Sequence, residues 1–380
     1  MKRCFVIMPI GSGERYEVHL NRYENIIKPA VEGVYRDEAQ IYHCIRADFI
    51  SRTGSITRTV LEALYSSDAV IADLSELNPN VFYELGVRHS LRNKTVLIAE
   101  KGTKPPFDIG DLRIIFYEDK VGAEKKVIPE IQEMLSAFLD DESMVDSPVF
   151  LAVPSLASDR NIEEVKAQFY ALEQENQSLK IKLSVAEQTN ISLRDSVSAI
   201  TQGIDQIMSK LGEGQKRVTE EEIESIVRER QQIIAKPKIF KVPKSDVDKK
   251  KVFVLMPFAP RFNEVYEVIK RAANRVGLVC FRVDELYFAE SIMDQIFESV
   301  VSSGLIIADL TGRNSNVLYE IGIATTLGKE MILLSQSMDD VPFDIRHMRL
   351  IIYEHSLKGA RELEEKLVYN FSFYLETVDS

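Results

Sequence analysis

IADLSELNPNVFYELG, running from Ile71 to Gly86, returns 236 positions later as IADLTGRNSNVLYEIG, from Ile307 to Gly322. Each copy opens on a short apolar run that ends in an aspartate, Asp73 or Asp309. An Asn-containing turn follows, then a helix-like segment whose glutamate, Glu84 or Glu320, stands 11 residues beyond the aspartate. A short apolar run feeding an amphipathic helix is the unit from which parallel sheets are built. Finding it twice predicts two such sheets.

Outward from this stretch, the same offset aligns Ile45–Glu118 with Phe281–Glu354 without a gap, which marks an internal duplication. Many of the retained residues are polar, and a core alone does not require them. They include Arg46 and Arg282, Asp48 and Asp284, Ser55 and Ser291, Asn78 and Asn314, Asn80 and Asn316, Tyr83 and Tyr319, and the tetrapeptide PFDI at Pro106 and Pro342. The start MKRCFVIMPI matches KKKVFVLMPF at Lys249–Phe258, so both are read as first strands rather than as a secretory leader. In the first copy, strands are expected at Phe5–Met8, Ile41–Ile45, Ala69–Leu74, Thr95–Ala99 and Arg113–Tyr117. Helices are expected near Tyr23–Val34, Ile56–Tyr65, Val81–Leu91 and Val127–Leu139.

The predicted fold class is α/β: two flavodoxin-like (Rossmannoid) parallel-sheet domains joined by a long α-helical coiled coil. Between the copies, apolar residues from Ile162 to Leu211 recur at alternating steps of three and four, with Asn176 and Asn190 at a positions. That pattern points to a homodimer through the rod. Thr219 and Glu222 form a capping box that opens a shorter helix. The resulting boundaries are 1–145 for copy one, 160–211 for the coiled coil, 218–235 for the helix, 236–250 for a basic linker and 251–380 for copy two.

At 45% hydrophobic and 28% charged residues, the composition is that of an ordinary globular protein. The formal net charge of -12 argues against a general nucleic-acid binder. No apolar run reaches membrane-spanning length, so a cytoplasmic protein without membrane contact is expected. Cys4, Cys44 and Cys280 are far apart and each falls in an expected strand, which fits reduced core thiols. The five histidines show no ligand spacing. No metal or other cofactor is expected.

In an open parallel sheet, ligands sit at the carboxyl ends of the strands. Asp73 and Asp309 end their strands at that edge, and Asn78 with Pro79 makes a helix start that sets Glu84 within the first two turns. The helix dipole there is expected to keep the glutamate ionised. Two carboxylates facing one crevice are the means of cleaving a glycosidic bond: one captures or stabilises an oxocarbenium-like carbon while the other handles a proton. Tyr83 and Tyr319 are candidates to orient the glutamate. Asn80, Ser55, Arg46 and Asp48, with Asn316, Ser291, Arg282 and Asp284, are candidates to bind substrate.

The segment from the first MP strand through ADL..N.NV.YELG to PFDI resembles the nucleoside 2-deoxyribosyltransferase-like superfamily, which includes nucleotide N-glycosidases and is distantly similar to TIR-type NAD hydrolases. The resemblance covers both repeats and not the coiled coil. It implies a nucleophilic glutamate at Glu84 and Glu320, a base-contacting aspartate at Asp73 and Asp309, and a nucleoside, nucleotide or NAD-like substrate. The alternative is a nucleotide-sensing module that signals through the coiled coil without catalysis. Gly54 in copy one faces Glu290 in copy two at the expected phosphate seat, which predicts that copy one carries the main activity on phosphorylated substrates.

Overall fold

The computed structural model describes residues 1–11, 13–49, 56–141, 144–153, 247–285, 292–346, 348 and 350–379. The expected coiled coil, the 218–235 helix and most of the linker lie outside the described residues, as do Ser55, Ser291, Gly54 and Glu290.

Repeat one forms strands β1 (Lys2–Ile7), β2 (Tyr42–Arg46), β3 (Ala69–Asp73), β4 (Thr95–Glu100) and β5 (Ile114–Tyr117). They pair in the order β2-β1-β3-β4-β5, and every pairing is parallel. Repeat two forms β6 (Asp248–Leu255), β7 (Val279–Arg282), β8 (Ser303–Asp309), β9 (Glu330–Ser335) and β10 (Leu350–Ile352), in the same order, β7-β6-β8-β9-β10. This is the flavodoxin-like arrangement, in which the chain reverses its direction of travel beside the first strand. The linker ends sooner than the sequence suggested, because β6 already begins at Asp248.

Helices in repeat one are α1 (Glu14–Arg22), α2 (Lys28–Glu32), α3 (Ile56–Ser66), α4 (Pro79–Leu91), α5 (Glu124–Asp140) and α6 (Pro148–Ala152). Those in repeat two are α7 (Asn263–Arg275), α8 (Ile292–Ser302), α9 (Ser315–Thr326) and α10 (Leu357–Asp379). Side chains alternate across each strand, so each sheet has two faces to bury. On the outer face of sheet one, Cys4, Val6 and Ile71 pack with Ile27, Ile131 and Leu135. On the outer face of sheet two, Val252, Val254 and Ile307 pack with Ile269, Leu367 and Phe371.

The inner faces share a single core. Phe5, Val70 and Ala72 of sheet one and Phe253, Ile306 and Ala308 of sheet two are joined through Phe82, Leu85, Leu318 and Ile321 of α4 and α9. The repeats are therefore one compact body rather than two separate domains. Helices α4 and α9 cross at Gly86 and Gly322, so closely that a Cβ on Gly86 would stand 2.1 Å from the Tyr319 carbonyl oxygen. Only glycine permits that approach. Helix α6 lies beyond the expected end of repeat one and packs against both α4 and α8. Ser147 caps it, accepting from the Phe150 N–H at 3.3 Å, and donates its own hydroxyl to the His89 carbonyl.

Candidate active site

Both helices that carry the repeated glutamate start as the sequence predicts. The Asn78 Oδ1 accepts from the N–H groups of Asn80 at 3.0 Å and Val81 at 3.4 Å, and Pro79 fills the first helical position. Asn314 does the same for Asn316 at 3.0 Å and Val317 at 3.3 Å. These caps fix where Glu84 and Glu320 stand.

In repeat two, Glu320 forms part of the wall of a small cleft of about 30 Å³, partly open to solvent, at the carboxyl end of β6. Strand β6 lies between β7 and β8, which is the position where neighbouring connections diverge and ligands are received. Phe258, Val283, Val317 and Asn316 line the cleft, and Phe107 reaches it from repeat one. The lining is mostly apolar with few polar groups, as in small-molecule sites. Asn316 presents an Oδ1 that has no hydrogen-bond partner among the described residues, and Asn80 has the same orphan in repeat one.

Glu320 is only 6% exposed. Burial, followed by the charge of Asp108, holds its carboxyl well above the usual carboxylate range. Asp108 belongs to the turn Phe107–Ile109 of repeat one, is itself buried, and has neither carboxyl oxygen in a hydrogen bond among the described residues. Burial pushes its carboxyl up as well. The opposite combination recurs at Glu84, which keeps more exposed surface than Glu320: desolvation and then the charge of Asp344, from repeat two, raise its carboxyl. The helix dipole does not keep these glutamates readily ionised, because desolvation and a facing like charge outweigh a terminus effect worth about 1 kcal/mol.

Asp73 and Asp309 are not brought to the same side as the glutamates. Asp73 has the strand parity of Ala69 and Ile71, so its side chain lies on the outer face, whereas α4 packs on the inner one. There it accepts from Arg22 Nη1 at 2.9 Å, the Ser75 N–H at 3.0 Å and the Tyr117 hydroxyl at 3.5 Å. Asp309 accepts from the Thr311 N–H at 2.9 Å and the Tyr353 hydroxyl at 2.7 Å, and burial raises its carboxyl. Both aspartates thus tie down the turn after their strand. Asp73→Asn is expected to destabilise the protein by about 3 kcal/mol in a denaturant titration, because the buried Arg22 loses its closest anion and, among the described residues, keeps Glu100 at 3.4 Å.

The remaining candidates divide similarly. Arg46 forks onto Asp48, with Nε to Oδ1 at 2.6 Å, and its guanidinium lies 5.0 Å from the Tyr23 ring and 4.7 Å from the Phe49 ring. Arg282 forks onto Asp284 with both bonds at 2.6 Å and lies 4.7 Å from the Tyr266 ring. These Arg–Asp pairs lie on the outer side, and the buried Nη1 of each arginine finds no hydrogen-bond partner among the described residues. Tyr319 crosses to repeat one, where its hydroxyl is hydrogen-bonded to His89 Nδ1 at 2.8 Å. Burial, with the nearby Arg88, lowers His89 to about 3, so its imidazole is neutral. Tyr83 lies against Thr325 in the reciprocal position. Neither tyrosine orients its own neighbouring glutamate; both pin the repeats together.

Sequence reasoning passed over Asp108, Asp344 and Phe107, although the identical PFDI in both repeats was the signal that could have found them. Among the described residues, no group of three or more His, Cys, Asp or Glu could hold a metal, and Cys4, Cys44 and Cys280 are free and buried. No described helix is long and apolar enough to cross a membrane. No protein-family model matches the chain, and no curated protein matches it significantly.

Proposed function

We propose that this protein breaks, or transfers across, the N-glycosidic bond of a nucleoside, nucleotide or NAD-like substrate in the cleft of repeat two, rather than in the copy-one site expected from Gly54 and Glu290, which lie outside the described residues. The observation that carries this reading is a single nearly buried carboxyl, Glu320, in the wall of a mostly apolar cleft at the topological switch point. In such surroundings an ionised carboxylate attracts a developing oxocarbenium ion far more strongly than it does in water. Phe107, Phe258 and Val283 offer apolar surfaces to a flat base.

Glu320 attacks the anomeric carbon, forming a C–O bond while the C–N bond breaks. The base departs with the bonding pair and takes a proton from solvent. Water then opens the glycosyl ester, losing a proton to solvent and returning the carboxylate; a second base in place of water gives transfer. Asn316 is a polar neighbour of Glu320 in the cleft wall, and this reading assigns it to a sugar hydroxyl. Asp309 contributes by holding the turn after β8 rather than by touching the base.

The test is to incubate the full chain with nucleosides, nucleotides and NAD and to follow free base by chromatography. Base release on at least one of these substrates is expected. Saturable binding with no base released from any of them would replace this reading with the nucleotide-sensing one.

A further inference from the structure

The cleft of about 30 Å³ has room for on the order of two waters, so the base of a substrate does not enter it whole and rests at its mouth. What stands there comes from both repeats. Phe258 of repeat two and Phe107 of repeat one each line the cleft while leaving 48% and 42% of their surface exposed. Water is a costly neighbour for an aromatic ring, and both rings are held there by their surroundings. Phe107 begins a turn locked by the Ile109 N–H donating to the Pro106 carbonyl at 3.3 Å and the Gly110 N–H donating to the Phe107 carbonyl at 3.1 Å. Ile109, 1% exposed, anchors that turn in the shared core, and the turn packs against α9. Phe258 is backed by Arg282, whose guanidinium lies 5.8 Å from its ring and is fixed in turn by Asp284 at 2.6 Å and Asn263 at 3.2 Å. We propose that Phe107 and Phe258 form a stacking platform for the base at the mouth of the Glu320 cleft, with Phe107 a specificity-determining residue donated across the repeat boundary.

An aromatic platform discriminates little among bases, because every purine and pyrimidine has a π-face. Reading the edge of a base needs free donors and acceptors, and the wall has few. Beside Glu320, its polar side chains among the described residues are Asn314 and Asn316, and the Asn314 Oδ1 is already taken by the N–H groups of Asn316 and Val317. The substrate class that fits is a nucleoside or nucleotide of either base type. Repeat one lacks the same platform. Its MKRCFVIMPI strand puts Ile10 where KKKVFVLMPF puts Phe258, so the exposed Phe343 of the reciprocal turn Phe343–Ile345 finds no aromatic partner at that position. Both copies keep the donated phenylalanine, and repeat two alone has the receiving one.

This inference deepens the proposed function and rests on it for its catalytic meaning, but the platform can be read by binding alone. Free adenine and free cytosine, leaving groups of such a reaction, are titrated into the full chain and followed by saturation transfer to their ring protons. Both are expected to bind, with dissociation constants within about tenfold of each other. Phe107→Ala should weaken both by about tenfold, the loss typical of one stacking partner, and Phe107→Tyr should restore most of it. Phe107→Leu keeps apolar bulk without a π-face and should stay close to the alanine variant. Phe343→Ala should bind as wild type does. In turnover, Phe107→Ala should raise KM more than it lowers kcat. A wild type that binds neither base or only one, or a Phe107→Ala or Phe107→Leu variant that binds both as wild type does, overturns the platform even if nucleosides release base. An equal loss in Phe343→Ala overturns it as well. Binding that depends on Phe107 in a protein that releases no base leaves the platform standing and refutes the glycosidic reading instead.

Discussion

Glu320→Gln should lower base release by about 100-fold or more while leaving the protein folded. A carboxylate that captures or stabilises a cationic carbon typically contributes this much, and the amide cannot replace it. Stability should move the other way. The folded-state pKa of Glu320 lies well above the unfolded value, so its contribution to stability is fully present below about pH 4 and is lost as pH rises through the folded value. Glutamine does not ionise, so the variant should gain on wild type as pH increases from 5 to 8. Thermal melts at the two pH values, beside a base-release assay, read both effects. Turnover equal to wild type in Glu320→Gln and in Glu84→Gln/Glu320→Gln would remove the catalytic assignment.

The second large effect concerns the helix crossing. A Cβ on Gly86 would sit 2.1 Å from the Tyr319 carbonyl oxygen, and one on Gly322 would sit 2.3 Å from that of Tyr83. Both obstacles are backbone atoms, so relief requires α4 and α9 to move apart through the shared core. Overpacking of a dense core costs about 1–3 kcal/mol per site. The two sites share the crossing, so their costs need not add, and Gly86→Ala/Gly322→Ala is expected to lose about 4 kcal/mol, a fall of roughly 10 °C in melting temperature. Base release should fall as well, because moving α9 away from repeat one draws Glu320 off Phe107 and Asp108. A double variant that melts within a degree or two of wild type would mean that the repeats do not depend on this contact.

The same crossing explains what the sequence made legible and what it did not. Alternating strand and helix patterns placed all five strands of repeat one, because each is a short apolar run between turn signals. Asn78 and Pro79 announced the start of α4 through chemistry confined to four residues. The pairing of Asp73 with Glu84 was misread, since spacing along the chain does not say on which face of the sheet the next helix docks. Strand parity sends Asp73 outward with Ile71, and the crossover carries α4 to the inner face. Within YELG, Tyr83 and Gly86 are three residues apart and face the other repeat, a role that only the tertiary crossing reveals. Arg22, which neutralises Asp73, lies outside the gaplessly duplicated segment and gave no signal. PFDI was visible as a repeat, yet its turn in repeat one packs against α9 of the opposite half, which no reading of one copy would suggest.

Duplication acquires a physical reason from this geometry. Each repeat supplies one of the two helices that cross at Gly86 and Gly322, so a single chain performs what two-fold association of separate copies would otherwise provide.

The central claim is that Glu320 attacks a sugar carbon, and a trapped adduct tests it most directly. A nucleoside bearing fluorine at the sugar 2-position slows the opening of a glycosyl ester, because the substituent destabilises the cationic transition state through which water attacks. After incubation of the full chain with a panel of such nucleosides, rapid quench and peptide mass spectrometry should find one added fluorosugar on the peptide that contains Glu320, and none on that peptide in Glu320→Gln. A wild-type chain that releases base from these compounds yet carries no sugar, or carries it on a residue other than Glu320, would contradict the account.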